Sequence, residues 1–369
     1  MQIEELVTPS ILVEQNILAN NIEAMAQICS EQGKELWPMV KTHKSSEVAK
    51  LQAKAGAAGF LTGTLDEAEL LVSQGVERIM LAYPVAGQAN LARLAALARQ
   101  AKVLISLDGL AAAEQLQAYL VKASVKVDYL IIVDSGLHRF GVAPQAAVSL
   151  VKSLAALTQL RFRGIATHPG HVYGQSSYEG VKTVAAEEAA ALQATAKLLA
   201  SAGYPCEMIA TGSTPTAALV SRKAFITALR PGNYVYNDAI QVSLGVATEA
   251  DCALTVLATV IAQPQEDVFL IDAGSKCFGL DKGAHSVSLV SGYGLIQGHP
   301  ELVLESLSEE VGKIKVLGAT TVQVGQKLTV IPNHSCSAAN MTNFLVLHEK
   351  GRITGRITVD ARGNSKARF

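Results

Sequence analysis

Residues 35–232 carry one repeating rhythm, and it constrains the fold more than any other feature of the chain. Short apolar runs alternate with Ala/Leu/Glu-rich stretches of helical period. The runs are "ELWPMVK" (35–41), "AGFLTG" (58–63), "RIMLAYP" (78–84), "KVLISLD" (102–108), "VDYLIIVDSG" (127–136), "FRGIATH" (162–168), "CEMIATG" (206–212) and "FITALRPG" (225–232). Several intervening stretches, such as "SEVAKLQAKAG" and "LDEAELLVSQG", stop at glycine, a helix C-terminal signal. This repetition predicts an α/β fold with a (β/α)8 TIM-like barrel, whose usual size is ~250 residues. A doubly wound open sheet is the alternative, because periodicity does not say whether the sheet closes. No G-x-G-x-x-G follows an early run and no G-x-x-x-x-G-K-[ST] occurs, so dinucleotide and P-loop readings lack their motifs.

After about residue 245 the rhythm changes to strands joined by tight turns: "CALTVLATVIAQ", "VFLIDAGS", "VSLVSGYGLI", "IKVLGATTVQVGQKLTVIPNH" and "FLVLHEKGRITGRITVDA". Within the last, "HEKGRI" reads as a hairpin loop. The expected organisation is a barrel over 16–245 and a C-terminal β domain over 246–369. The N-terminal residues 1–15 are expected to join that β domain. Chain length agrees, since 369 residues exceed the usual span of one core.

Charge and cysteine usage narrow the class. A net charge of −1 with no basic stripe gives no reason to expect nucleic acid. The N-terminus "MQIEELVTPS" lacks the pattern of a signal peptide, and no apolar run approaches a membrane span. Cys29, Cys206, Cys252, Cys277 and Cys336 are scattered and odd in number, as in a reducing cytoplasm without a disulfide framework.

In a barrel, chemistry gathers at the C-terminal ends of the strands. Here those ends read "VKTHK", "VDSGLHRFG", "THPGHVYG", "ATGSTPT" and "RPGNYVYND". Their Lys, His, Arg, Tyr, Gly and hydroxyl residues suit an anionic ligand. "TGSTPT" (211–216) and "RPGN" (230–233) follow the last two strands, the usual barrel phosphate position, although each alone is also an ordinary turn. Lys41 closes an apolar run, where a lysine is costly unless paired or reacted. Beside a phosphate site it points to a Schiff base with pyridoxal phosphate; a lysine that snorkels to solvent, or Lys44 in its place, fits the spacing equally. Near the C-terminus, "PNHSC" (332–336) follows the apolar run "KLTVI". If the strand continues, His334 and Cys336 share a face and could hold zinc, or Cys336 is simply a buried thiol.

The motifs taken together are more specific. "TPSILVEQNILANNIEAMAQ", "PMVKTHKSSEVAKLQAKAGAAGFLTGTLDEAELL", "GLHRFGV", "GHVYG", "GSTPT", "RPGNYVYND", "DAGSK", "GYGLI" and "PNHSCSAAN" occur in order through nearly the whole chain. They resemble the D-threonine aldolase / D-serine dehydratase family of metal-activated pyridoxal phosphate enzymes with the alanine-racemase fold. The resemblance implies a barrel carrying the cofactor, a C-terminal β domain and a homodimer. It implies that Lys41 forms the Schiff base, that Arg139 lies near the cofactor's phenolic oxygen and that Tyr173 lies beside its pyridine ring. Thr211, Gly212, Ser213 and Thr214, with Gly232 and Asn233, match the phosphate loop, and Tyr236 and Asp238 lie in the next family segment. His168 and His171 face the same mouth, as acid/base groups or as scaffold.

His334 and Cys336 match the family's metal pair, for Zn2+ or Mn2+. In the family H-x-C tends to mark dehydratases of D-serine and D-3-hydroxyaspartate, and H-x-D aldolases. The implied function is therefore a dehydratase of a small D-3-hydroxy amino acid. An aldolase yielding glycine and an aldehyde is the alternative, followed by a racemase or a non-catalytic carrier of the cofactor. The chain departs from the family at "SEEVG" (308–312), where many relatives place a histidine after the paired glutamates.

Overall fold

The computed structural model of the protein describes residues 1–283 and 290–363. Eight strands form one all-parallel sheet: β2 (Glu35–Leu36), β3 (Phe60–Thr62), β4 (Arg78–Leu81), β5 (Lys102–Leu107), β6 (Val127–Ile132), β7 (Leu160–Ala166), β8 (Met208–Thr211) and β9 (Ala228–Leu229). Their order is β2-β9-β8-β7-β6-β5-β4-β3. The two ends of that order meet through a parallel bridge between Met39 and Leu61, where the Leu61 N–H donates to the Pro38 carbonyl at 2.9 Å. The sheet therefore closes into a ring, and the open doubly wound alternative is excluded. Inside it, Trp37, Leu61, Met80, Leu104 and Leu130 pack against Ala166, Ala210 and Ala228. Large residues from one side of the ring thus fill the space left by alanines on the other, the filled interior that a barrel of this strand number requires.

Helices wrap the barrel with their apolar stripe inward. The longest, Tyr178–Ser201, is capped by the Ser177 side chain, which accepts from the Gly180 N–H. Its buried face repeats at helical spacing through Val181, Val184, Ala185, Glu188, Ala189, Leu192, Thr195 and Leu199. Glu188 stands out on that stripe as an ionisable residue with no exposed surface.

The second sheet has nine strands. These are β1 (Ser10–Glu14), β10 (Leu254–Gln265), β11 (Val268–Ile271), β12 (Gly294–Ile296), β13 (Leu302–Leu307), β14 (Gly312–Val316), β15 (Lys327–Pro332), β16 (Phe344–Glu349) and β17 (Arg352–Thr358). β1 lies between β10, antiparallel, and β16, parallel. The chain thus starts in this sheet, enters the barrel at the helix Gln15–Glu31, and returns to the sheet through β10. β16 and β17 form a hairpin whose turn residues Lys350 and Gly351 both have positive φ, as a tight turn matched to strand twist requires. Of the expected strand "VSLVSGYGLI", residues 287–289 lie outside the described residues, and Gly294–Ile296 forms β12.

One local expectation is corrected. β15 ends at Pro332, so His334 and Cys336 are not neighbours on a strand face. His334 is instead the extended N-cap residue of a short helix, Ser335–Ala339, and Cys336 lies in its first turn. The proline ends the strand ladder, and the small residues that follow suit a helical turn.

Candidate active site

A cavity of about 250 Å³ opens where the barrel strands end and the β15–helix segment crosses over them. Its walls include Lys41, Arg139, His168, Tyr173, Gly212, Ser213, Thr214, Gly232, Asn233, His334 and Cys336. The apolar part of the wall is Met39, Leu61, Ala82, Tyr83, Ile132, Leu137 and Phe140. Residues from both ends of the sequence thus converge on one space.

Lys41 sits in a single turn, Val40–Thr42, that continues the short strand β2. Lys44, its rival from the sequence, is buried and paired with Glu67 at 3.2 Å. Glu67 also accepts from the Gly63 N–H at 2.7 Å, so the carboxylate is fixed and holds Lys44. Lys41 is the lysine that lines the cavity.

Opposite lies a concave backbone. Gly212 has φ +101, a conformation that side chains with a Cβ rarely take. A Cβ on Gly232 would come within 2.9 Å of Thr42 Oγ1 and 3.0 Å of Met39 Cβ, so only glycine lets the two loops approach this closely. The Thr214 hydroxyl accepts from the Tyr234 N–H at 3.0 Å and ties the 211–216 loop to the Gly232 loop. Arg230, which the sequence reading passed over, is buried at the floor of this region. Its Nη2 donates to the Thr167 carbonyl, while its Nε has no hydrogen-bond partner among the described residues. Burial pulls its pKa down to about 10, still charged at neutral pH. With Lys41 and Arg139 it puts three cationic side chains on a wall that also carries Asp134 and Asp281. Arg139 lies over both Tyr83 and Phe140, at 5.6 and 5.5 Å from the ring centroids.

The His334–Cys336 segment is held over Lys41 by a polar knot. Asp238, fully buried, accepts from the Asn233 side-chain N–H2 at 2.6 Å and from the Ser335 N–H at 3.0 Å. Asn340 donates to the carbonyls of Lys41, Thr42 and Cys336 at 3.3, 3.4 and 2.7 Å. Cys336 Sγ lies 3.2 Å from Thr42 Oγ1 and hydrogen-bonds His334. Burial opposes ionisation of the Cys336 thiol, but His334, Lys41 and the Thr42 hydroxyl outweigh it and hold its pKa below the ordinary thiol value. Burial likewise opposes a charge on His334, but Cys336 and Asp238 raise its pKa. The pair is therefore biased toward a thiolate beside an imidazolium. His334 Nδ1 lies 3.7 Å from Asp238 without a hydrogen bond. A soft divalent cation replacing the imidazolium proton would meet a thiolate and a ring nitrogen, the donor types zinc prefers. Among the described residues, no group of three or more His, Cys, Asp or Glu side chains is placed to hold a metal. These two ligands would leave the remaining positions open.

Three expected residues lie off the cavity wall. His171 packs against Gly136, within 3.8 Å of Glu187. Tyr236 is fully buried with no partner for its hydroxyl among the described residues, and burial drives its pKa far above the phenol range. Thr211 turns its hydroxyl away, donating to Glu188 at 2.8 Å. Tyr173 reaches the cavity, where Gln241 hydrogen-bonds it and burial raises its pKa.

Comparison with known proteins agrees with this architecture. Residues 13–239 match the family model "Alanine racemase, N-terminal domain", and residues 253–348 match "Putative serine dehydratase domain". The chain is 32% identical to the D-threo-3-hydroxyaspartate dehydratase of Delftia sp. (strain HT23), over 89% of this chain and 91% of that one. It is 30% identical to a D-threonine aldolase of Arthrobacter sp, over 97% and 93%. A cysteine-to-alanine mutant of D-threo-3-hydroxyaspartate dehydratase, solved in the metal-free form, superposes with a TM-score of 0.89 at 30% identity, covering 97% of this chain and 99% of that one. The matched barrel, the matched C-terminal domain and these relatives place the chain in the D-threonine aldolase / D-serine dehydratase family of alanine-racemase fold, a family of lyases.

Proposed function

We propose that the protein is a pyridoxal-phosphate-dependent, divalent-metal-assisted dehydratase that converts a small D-3-hydroxy amino acid, of the D-serine or D-threo-3-hydroxyaspartate type, to a 2-oxo acid and ammonia. The observation that carries it is the juxtaposition of Cys336 with Thr42, the neighbour of Lys41, in a cavity that also holds a glycine-built anion cradle.

The residues fit the cofactor on three counts. Lys41 lines the cavity while Lys44 is held by Glu67, so one lysine is left to attach an aldehyde. Gly212, Ser213, Thr214, Gly232 and Asn233 offer backbone and hydroxyl groups to a phosphate, with Arg230 behind them. Tyr173 and Arg139 flank the space a ring would fill. When bound, pyridoxal phosphate supplies a sink for the electron pair left at Cα. Lys41 Nζ, as a free amine, is the group to take the Cα proton, and His168 on the same wall is the second candidate for proton transfer. His334 and Cys336 would hold Zn2+ or Mn2+, which supplies a Lewis acid for the departing β-hydroxyl. Asp238 and Asn340 keep that pair in place over the substrate space. The resemblance also supports a homodimer, which light scattering would report as twice 38.8 kDa.

Incubation with D-serine or D-threo-3-hydroxyaspartate should release ammonia and the matching 2-oxo acid without glycine. The likeness to a D-threonine aldolase supports the second reading. Glycine and aldehyde in equal amounts from D-threonine, without ammonia, would establish the aldolase.

A further inference from the structure

Glu188 lies on the inward stripe of the Tyr178–Ser201 helix, directly behind the proposed phosphate loop, with no exposed surface. Its Oε2 accepts from the Thr211 hydroxyl at 2.8 Å, and it also hydrogen-bonds the Thr216 hydroxyl. Thr216 Oγ1 in turn accepts from the Ser213 N–H at 3.2 Å. Glu188 therefore grips both ends of the turn that presents Ser213 and Thr214 to the cavity. Its Oε1 is buried with no hydrogen-bond partner among the described residues. Among the described residues no cation is hydrogen-bonded to it: Arg230 donates to Thr167 and Met80 instead, and acts on Glu188 only through its charge. An ionised carboxylate here would be a poorly compensated buried charge. It would also place negative charge behind a bound phosphate, weakening the anion by simple repulsion.

We propose that Glu188 is a positioning residue for the phosphate cradle, acting as a neutral carboxylic acid that locks Thr211 and Thr216 without adding charge behind the anion. Burial pushes its pKa up to about 8, against the pull of the two threonine hydroxyls and of Arg230, in keeping with a neutral acid at neutral pH. The inference rests on the cofactor reading above.

The test is titration of the full-length, cofactor-stripped protein with two probes, pyridoxal 5'-phosphate and pyridoxal, followed by visible absorbance. In Glu188→Ala, affinity for pyridoxal 5'-phosphate should fall ~10–100-fold, as for loss of a supporting hydrogen-bonding shell. Affinity for pyridoxal should stay within about threefold, because the defect lies at the phosphate; general misfolding would lower both alike. Glu188→Gln, neutral and of the same shape, should keep both affinities within about threefold of wild type. Should Glu188→Ala fail to fold, Thr211→Val reads the same lock and should show the same phosphate-selective loss. Equal losses for both probes, unchanged affinity for pyridoxal 5'-phosphate, or a Glu188→Gln as damaged as Glu188→Ala would each overturn the proposal. A wild type that binds neither probe would overturn the cofactor reading and this inference with it.

Discussion

Lys44 occupies a left-handed backbone position, φ 47, with its ammonium turned into a buried pair with Glu67 and its carbonyl accepting from the Ala361 N–H. Lys41, three residues earlier, faces the cavity. The two substitutions should therefore fail in different ways. Lys41→Ala should abolish borohydride fixation of the cofactor with little loss of stability. Lys44→Ala should leave fixation at Lys41 intact but cost about 3–5 kcal/mol of unfolding free energy, because Glu67 is left as a buried, unpaired charge. Peptide mapping after borohydride treatment, with denaturant unfolding, checks both. The sequence could not separate these lysines, because the partner that decides between them sits on the next helix. His43, between them, is fully buried, with Nδ1 accepting from the Ser45 N–H. Burial lowers its pKa from 6.5 to about 4, against the raising effects of Gln52 and Asp360. The unfolded chain thus binds a proton below about pH 6.5 that the native state refuses until about pH 4. This contribution to stability is present above pH 6.5 and is lost as pH falls through that window, by up to about 1.4 kcal/mol per pH unit. Urea unfolding at a series of pH values should show a shallower dependence in His43→Gln.

Strand ends were the most legible elements, because each announces itself as an apolar run stopping at glycine or polar residues. Their lengths were not. β2 and β9 shrink to Glu35–Leu36 and Ala228–Leu229, because the chain leaves the sheet for the turns Val40–Thr42 and Asn233–Val235 that carry Lys41 and Asn233. The H-x-C motif teaches the same lesson. Spacing of two predicts one strand face, yet Pro332 ends β15 and the pair meets across a helix start. Convergence survives because Asn340 fastens the helix Ser335–Ala339 to the Lys41 turn, a contact between residues some 300 positions apart that no local pattern reveals. Asn340→Ala should loosen that docking while leaving both proposed ligand side chains in the protein, since Asn340 meets Cys336 only at its backbone carbonyl. Zinc affinity of the purified protein, measured by competition with a chromophoric chelator, should fall ~10–100-fold, while cofactor fixation at Lys41 persists. Unchanged zinc affinity would mean that Asp238 and Asn233 suffice to hold the segment.

At the scale of the whole molecule, the repeat count predicts eight strands and a barrel, while periodicity alone leaves closure open; closure is made by the bridge between Met39 and Leu61 and by the Ala58 N–H donating to the Leu36 carbonyl. Nor could local pattern show β1 lying between β10 and β16. Both are long-range contacts, set by total shape. That shape bears on what metal removal should do. The segment carrying His334 and Cys336 is anchored by protein contacts alone: β15 pairs with β10 and β12, Ser335 bonds to Asp238, and Asn340 bonds to the Lys41 turn. A structural zinc site draws on four protein ligands and its loss unfolds the domain, whereas two ligands on a preformed frame contribute chemistry rather than architecture. Dialysis against EDTA should therefore abolish turnover of D-serine and D-threo-3-hydroxyaspartate, while the unfolding midpoint shifts by no more than about 2 °C. The visible band of the bound cofactor should survive the treatment, since the cradle at Gly212–Thr214 and Lys41 includes neither of the two proposed metal ligands. Zn2+ or Mn2+ should restore turnover to wild type and restore none to His334→Ala or Cys336→Ala. Full activity in a rigorously metal-free preparation would assign the His334–Cys336 pair a role other than metal binding, and cooperative unfolding on chelation would make the metal part of the fold.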